Sequence, residues 1–134
     1  MSQKFLKKII AQNQDDVRVI SALCSEAKVK LSEIRYLKKN KIFLISLERH
    51  NKEKTDSKDK IHSILKFEFI EQSKSKNINQ NEHEKFLELL AIDIFKKEKN
   101  YEIVLLFSNN GIITLEAEVI EIELDNVEKL NDKN

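Results

Sequence analysis

The 134-residue sequence has no proline, no tryptophan, one glycine (Gly111) and one cysteine (Cys24). Phosphate-binding loops, dinucleotide-binding turns and nucleophile elbows each need glycine at several positions, so a single glycine excludes them. A lone cysteine cannot form an internal disulfide, which favours a reducing compartment. Without proline, the turns must be built from Asn, Asp, Ser and Lys.

Long apolar runs are also missing. The longest wholly apolar run is Ile103 to Phe107, whereas a membrane-spanning helix needs roughly 18 such residues. The N-terminal segment has no apolar stretch of signal-peptide length and no small-residue cleavage pattern. We therefore expect a soluble, cytoplasmic protein without membrane contact.

The net charge of +1 hides an asymmetry between the two halves of the chain. Residues 1–67 carry 16 Lys or Arg against 8 Asp or Glu, a balance of +8, and residues 68–134 carry 8 against 15, a balance of −7. A basic half can bind a polyanion such as nucleic acid. The alternative interpretation is that the two halves complement each other across one compact domain, and that the lysine excess reflects genome composition.

One segment has apolar residues at helical spacing. Asn13 can cap a helix whose first turn holds Asp15 and Asp16, where the helix dipole favours acidic groups. This pattern predicts a helix over about 14–27. Its apolar face would consist of Val17, Ile20, Leu23, Cys24 and Ala27.

Elsewhere apolar and polar residues alternate, which predicts strands. The predicted strands span about 4–12, 29–37, 41–49, 61–71, 86–95 and 101–107, followed by a last strand after Gly111. We expect an α+β fold: a mainly antiparallel curved sheet, or partly open barrel, of six to seven strands covered by one N-terminal helix. Residues 1–134 would form a single domain with charged loops at about 50–60 and 72–84 and a polar tail at about 126–134.

The final hairpin is predicted from its turn sequence, Ser108-Asn109-Asn110-Gly111, in which Asn-Gly would supply the positive φ angles. The strand after it contains four glutamates: Glu116, Glu118, Glu121 and Glu123. Its alternation slips once, at Val119-Ile120. A β-bulge there keeps the aliphatic residues on both sides of the slip pointing inward, with the glutamates in solvent. The alternative is that the strand ends near Ile120 and a short C-terminal helix covers about 120–130.

No pattern of catalytic residues is evident, and the chain is predicted to have no metal and no cofactor site. His50, His62 and His83 lack the close spacing of zinc ligands, and Cys24 fits a small buried hydrophobe. An enzyme would need Asp93, His50 or His62 to converge in one pocket. Whether the protein is an enzyme stays open, with the balance against it.

The segment RYLKKNK provides the candidate nucleic-acid contacts. A basic turn that carries an aromatic side chain can contact the backbone of a nucleic acid and stack on a base. The favoured alternative is that the tyrosine packs inward and the lysines form a solvated hairpin tip. The residues concerned are Arg35, Tyr36, Lys38, Lys39 and Lys41.

Four segments together resemble a family of small alphaproteobacterial proteins known only as domain of unknown function 2948. They are DDVRVISALCSEAKVKLSEIRYL, LERHNKE, FLELLAIDIF and LLFSNNGIITLEAEVIEIELDN. The resemblance extends from about Phe5 to Asp125 and implies a bacterial, cytoplasmic protein with no known activity. Arg49 matches the family and joins the candidate binding residues, whereas His50 and Lys52 replace aromatic residues of the family.

These observations favour a non-enzymatic binding or protein-interaction module with a protein partner. The alternative is a nucleic-acid-associated protein that uses the basic N-terminal half.

Overall fold

A computed structural model describes residues 8–50 and 60–127. The helix is α1 (Gln14–Cys24), and the strands are β1 (Lys8–Ala11), β2 (Ala27–Leu37), β3 (Ile42–His50), β4 (Lys60–Phe67), β5 (Ile70–Lys76), β6 (Phe86–Lys96), β7 (Tyr101–Phe107), β8 (Ile112–Ala117) and β9 (Ile122–Val127). Short 3-10 turns at Lys38–Asn40 and Ser108–Asn110 join β2 to β3 and β7 to β8. The α+β class is confirmed.

Helix α1 begins directly after Asn13, the predicted N-cap residue. The Asn13 side chain accepts a hydrogen bond from the backbone N–H of Asp16 at 2.9 Å, which satisfies one of the unpaired donors of the first turn. Val17, Ile20 and Cys24 are buried, as the apolar spacing predicted. The helix ends at Cys24, earlier than the predicted residue 27.

The nine strands form one open antiparallel sheet in the order β1-β9-β4-β3-β2-β6-β7-β8-β5. Side chains from one face of this sheet and from α1 make a single buried cluster. An 11-residue helix is too short to cover nine strands, so the sheet must curve around its own buried face. A backbone bond from Ile70 N to Lys41 O, which joins the start of β5 to the start of β3, is part of this curvature.

The prediction of six to seven strands was too low. The segment predicted as one strand over 61–71 turns at Phe69, whose φ of 61° is unusual for a bulky residue, and this turn separates β4 from β5. Strand β5 then continues to Lys76, so residues 72–76 of the predicted loop are strand. The other predicted loop lies mostly at residues 51–59, outside the described residues.

The slip at Val119-Ile120 is a corner between two strands. Strand β8 ends at Ala117 and β9 begins at Ile122, so the chain changes partners from β5 and β7 to β1 and β4. Ile113, Leu115 and Ala117 before the corner and Ile120, Ile122 and Leu124 after it are buried, as the bulge prediction required, whereas Val119, also predicted to point inward, is exposed. Residues 122–127 are strand, which contradicts a helix over that part of 120–130.

The β7–β8 hairpin is present, but the residues with positive φ angles in its turn differ from those predicted. Asn109 and Asn110 have φ angles of 60° and 63°, whereas Gly111 is extended at φ −74°. The prediction that Asn-Gly supplies the positive φ angles was therefore wrong by one residue. Gly111 matters for a close approach instead, since a Cβ atom there would lie 3.0 Å from Ile78 Cγ1.

Candidate functional site

A bulge in β2 opens a cleft in the sheet. Residues 27–30 of β2 pair with β6, but the register with β3 shifts between Val29 and Ile34 and the pairing with β6 stops. Beyond that point Leu31 N and Ser32 N donate to carbonyl groups of the 77–85 connection, at Lys85 O and His83 O. Within the described residues, the end of β2 has only β3 as a strand partner.

The cleft lies between the edge strand β5 and the half of β2 that does not pair with β6. Its volume is about 530 Å³. Its lining consists of Leu31, Ser32, Ile34, Tyr36, Phe43, Ser73, Ser75, Ile78, Gln80, His83 and Ile113. Phe43 and Ile113 are only 3% and 4% exposed, so the floor of the cleft is the protein core itself. The volume is within the range of about 300–1,000 Å³ typical of ligand sites.

The walls of the cleft combine polar and apolar side chains but carry no Lys, Arg, Asp or Glu among the described lining residues. Ser73 and Ser75 of β5 face inward, at positions where the other strands bury aliphatic residues. Gln80 Nε2 donates to Ser75 Oγ at 2.9 Å, which holds the 77–85 connection against β5. The cleft therefore offers hydroxyl, amide and imidazole groups above an apolar floor.

One end of the cleft is closed by contacts between β2, β3 and β5. Tyr36 packs against Phe43, with ring centroids 6.2 Å apart, and its hydroxyl donates to Ile70 O at 3.0 Å. Outside this end, Lys41 Nζ donates to Glu71 Oε2 at 3.0 Å. This hydrogen bond and the opposite charge raise the pKa of Lys41 and lower the pKa of the Glu71 carboxyl.

Five of the six predicted binding residues lie together at the β2–β3 hairpin tip. Arg35, Lys38 and Lys39 are exposed. Tyr36 is half-buried and engaged with Phe43 and Ile70, as the alternative interpretation of this segment proposed. Lys41 is ion-paired with Glu71 and lies 3.9 Å from Glu118.

Arg49, the sixth residue, lies elsewhere and is 1% exposed. Its Nε donates to Ser63 Oγ at 2.9 Å and its Nη2 to Asn126 Oδ1 at 2.8 Å. The Ser63 hydroxyl in turn donates to Asn126 Oδ1 at 2.9 Å. These bonds tie β3, β4 and β9 together, so the side chain has a structural role in the sheet.

The residues of the enzyme hypothesis do not share a pocket. His62 is on β4, opposite Glu48 of β3. His50 is the last residue of β3 and lies opposite Lys60 of β4. Asp93 is exposed on β6, which β2 and β3 separate from β4. Of the three, only His62 lines one of the pockets with the best-formed walls, and neither His50 nor Asp93 joins it there.

The glutamate row is on the outer face of the sheet. Carboxylate oxygens of Glu121 and Glu123 lie within 4.8 Å of each other and of Glu68 on the β4–β5 turn, and all three residues are partly exposed. Lys8 lies 3.7 Å from Glu123, and Gln12 Nε2 donates to Glu121 at 2.8 Å. These carboxylates are outside the core, as the strand pattern predicted, although the Glu123 side chain is only 13% exposed.

Tyr36 of the cleft was among the predicted binding residues, but the cleft residues of β5 and of the 77–85 connection were missed because residues 72–84 were predicted as loop. A signal was present in the segment SKSK, residues 73–76, where serine and lysine alternate with the period of a strand. It was overlooked because the inward positions are hydroxyls rather than aliphatics. Phe86, exposed at 52%, was equally overlooked as a surface aromatic.

No helix in the described ranges is long and apolar enough to cross a bilayer. No curated protein and no solved structure matches the chain. A family model described as "Protein of unknown function (DUF2948)" matches residues 7–133. The chain therefore belongs to this family of proteins of unknown function.

Proposed function

We propose that the protein is a non-enzymatic binding module that holds an extended segment of a partner protein in the cleft between β2 and β5. The observation that carries this proposal is the chemistry of the cleft, a cavity with no Lys, Arg, Asp or Glu among its described lining residues, with an apolar floor and two strand edges as walls. The absence of transmembrane-length apolar runs and the lone Cys24 support a cytoplasmic location for this single-domain protein.

The lining selects for an uncharged occupant. A phosphate or carboxylate entering the cleft would lose its hydration and meet no lysine or arginine among the described lining residues. An apolar side chain, by contrast, would gain contacts with Leu31, Ile34 and Ile78. Backbone amides of the occupant would find partners in Ser73 and Ser75.

The walls favour an extended polypeptide over a compact molecule. Strand β5 pairs with β8 on one side and is the end of the sheet on the other. A peptide that adds to such an edge gains main-chain hydrogen bonds and places alternate side chains into the cavity. The outward Lys74 and Lys76 discourage indiscriminate edge-to-edge pairing, because charged edge residues disfavour aggregation.

The test is a display selection of random linear peptides on the intact chain, followed by fluorescence anisotropy with the selected peptides. Ser73→Trp fills the cleft and should weaken binding by at least about tenfold, about 1.4 kcal/mol. Lys74→Trp is the matched control, because the neighbouring side chain points to the outer face. Equal binding by both variants, each verified as folded by circular dichroism, would place the peptide elsewhere.

Amide hydrogen exchange provides the second readout. Strand addition protects backbone amides of β5 when the peptide binds, whereas a ligand resting only on the floor leaves them unchanged. Peptide binding without protection of β5 would contradict the proposed mode.

The hairpin tip offers less support for the nucleic-acid alternative. The Tyr36 ring is engaged with Phe43, so it cannot stack on a base without repacking. The charge of Lys41 is balanced by Glu71 and Glu118. Arg35, Lys38 and Lys39 remain as exposed cations, but no exposed aromatic of the RYLKKNK segment accompanies them.

A further inference from the structure

The β2 bulge also shapes a second cavity, on the outer face of the sheet. This outer groove has a volume of about 400 Å³ and is lined mainly by Lys28, Lys30, Glu33, Glu48, His62 and Phe86. It shares no lining residue with the cleft between β2 and β5. Any ligand of the outer groove is therefore independent of the proposed protein-binding function.

An aromatic ring and two ammonium groups meet in the outer groove. Phe86 is 52% exposed, the highest exposure among the large hydrophobic residues of the described chain. Lys28 Nζ lies 5.2 Å and Lys30 Nζ 6.0 Å from the centroid of its ring. Both ammonium groups lie over the ring as cation–π partners, so a planar group that stacks on the phenyl ring must displace at least one of them, and the displaced cation is then available to an anion.

The charges around Phe86 are mixed in sign. Lys30 is hydrogen-bonded to Glu84 at 2.8 Å, and this bond and the opposite charge raise the pKa of Lys30. Within the described residues, no carboxylate lies within 4 Å of Lys28 Nζ. Glu33 and Glu48 supply acceptors, and Glu48 of β3 lies directly opposite Lys28, with Lys60 Nζ 3.9 Å away.

We infer that the outer groove binds a nucleobase together with its phosphate, as a free nucleotide or as part of a single strand. The base stacks on Phe86, the phosphate approaches Lys28, and ribose hydroxyls or exocyclic amines donate to Glu33 and Glu48. A polyphosphate brings additional negative charge that the glutamates repel, and an aliphatic acid has no planar group to stack on Phe86. A nucleotide brings the stacking plane, the anion and the donors in one molecule.

The experiment uses the full chain at low salt with two probes, adenosine 5′-monophosphate by calorimetry and a fluorescein-labelled single-stranded oligoadenylate by anisotropy. Saturable binding of the mononucleotide assigns the site to free nucleotides. Binding of the oligoadenylate alone, weakening steeply with salt, assigns it to a strand. If neither probe binds, the inference is wrong.

Matched variants locate the binding. Phe86→Ala should weaken it by about tenfold or more, because the base loses its stacking surface. Phe95→Ala is the control, because Phe95 lies on the same strand and is exposed to a similar extent, 49%. Lys28→Gln should weaken binding of the monophosphate more than that of adenosine. Equal losses in the two phenylalanine variants would overturn the assignment.

Discussion

Both halves of β2 pair with β3 on one side, but only the first half pairs with β6 on the other side. Residues 27–30 lie between β3 and β6, and there Ala27 and Val29 are 1% and 0% exposed. From the bulge onward, Leu31, Ile34 and Tyr36 are larger than Ala27 and Val29 yet are only partly buried. Burial therefore depends on the second strand partner rather than on side-chain hydrophobicity.

Strands β8 and β5, which pair with each other, also differ in the number of their strand partners and in the residues on their inward face. Strand β8 has two partners and buries Ile113, Leu115 and Ala117. Strand β5 has one partner, and its inward positions after Ile70 are serines. Where the sheet is continuous, its inward face is aliphatic; where pairing stops, the inward face is left open for another molecule.

The largest expected effect separates the paired region from the cleft. Leu89→Ala removes a fully buried side chain opposite Ala27 and should lower the free energy of unfolding by about 2–5 kcal/mol. Leu31→Ala should lower it by about 1 kcal/mol, because Leu31 already contacts solvent. Urea denaturation of both variants measures the difference. Equal losses would mean that the cleft is closed in solution.

A second comparison uses two serines. Ser63→Ala removes the acceptor of Arg49 Nε inside the paired sheet and should lower the free energy of unfolding by about 1–3 kcal/mol. Ser73→Ala, in the cleft wall, should change it by less than about 0.5 kcal/mol. Thermal unfolding with matched denaturant curves gives both values. A large loss for Ser73→Ala would make that hydroxyl part of the folding core.

The Tyr36 hydroxyl, which helps to close one end of the cleft, provides a test with a smaller expected effect on stability. Tyr36→Phe keeps the ring against Phe43 and removes the bond to Ile70 O, so stability should fall by about 0.5–1.5 kcal/mol. Hydrogen exchange of the β5 backbone amides near Ile70 should become faster, because β5 loses a hydrogen bond to β2. Unchanged exchange there, with stability reduced, would place the effect elsewhere.

The smallest effect concerns pH. The pKa of Glu71 is lowered in the folded protein, so its contribution is present above the ordinary carboxyl pKa and is lost as pH falls through the folded value. The pKa of Lys41 is raised, so its contribution is present below the ordinary lysine pKa and is lost as pH rises through the folded value. The stability difference between wild type and Glu71→Gln should thus be largest near neutral pH. Denaturation across the pH range measures it, and a difference that grows in acid would contradict the sign.

Local chemistry was enough to predict several elements. The Asn13 cap, the buried face of α1 and the alternation around the β8–β9 corner follow from hydrogen bonding and hydrophobic periodicity within a few residues. The same rules misplaced the positive φ angles at Asn109 and Asn110 and missed β5. Asparagine tolerates the left-handed region almost as glycine does, and a strand with inward serines lacks the apolar signal.

The amino-acid sequence by itself determined the α+β class, the helix and its cap, and the position of the glutamate row outside the core, because each depends on neighbours close along the chain. Only the tertiary structure decided where β2 leaves β6, which residues line the cleft and the outer groove, and that Arg49 is buried. These features depend on pairings between residues far apart along the chain. Their registers are set by the packing of the whole sheet, which no local pattern encodes.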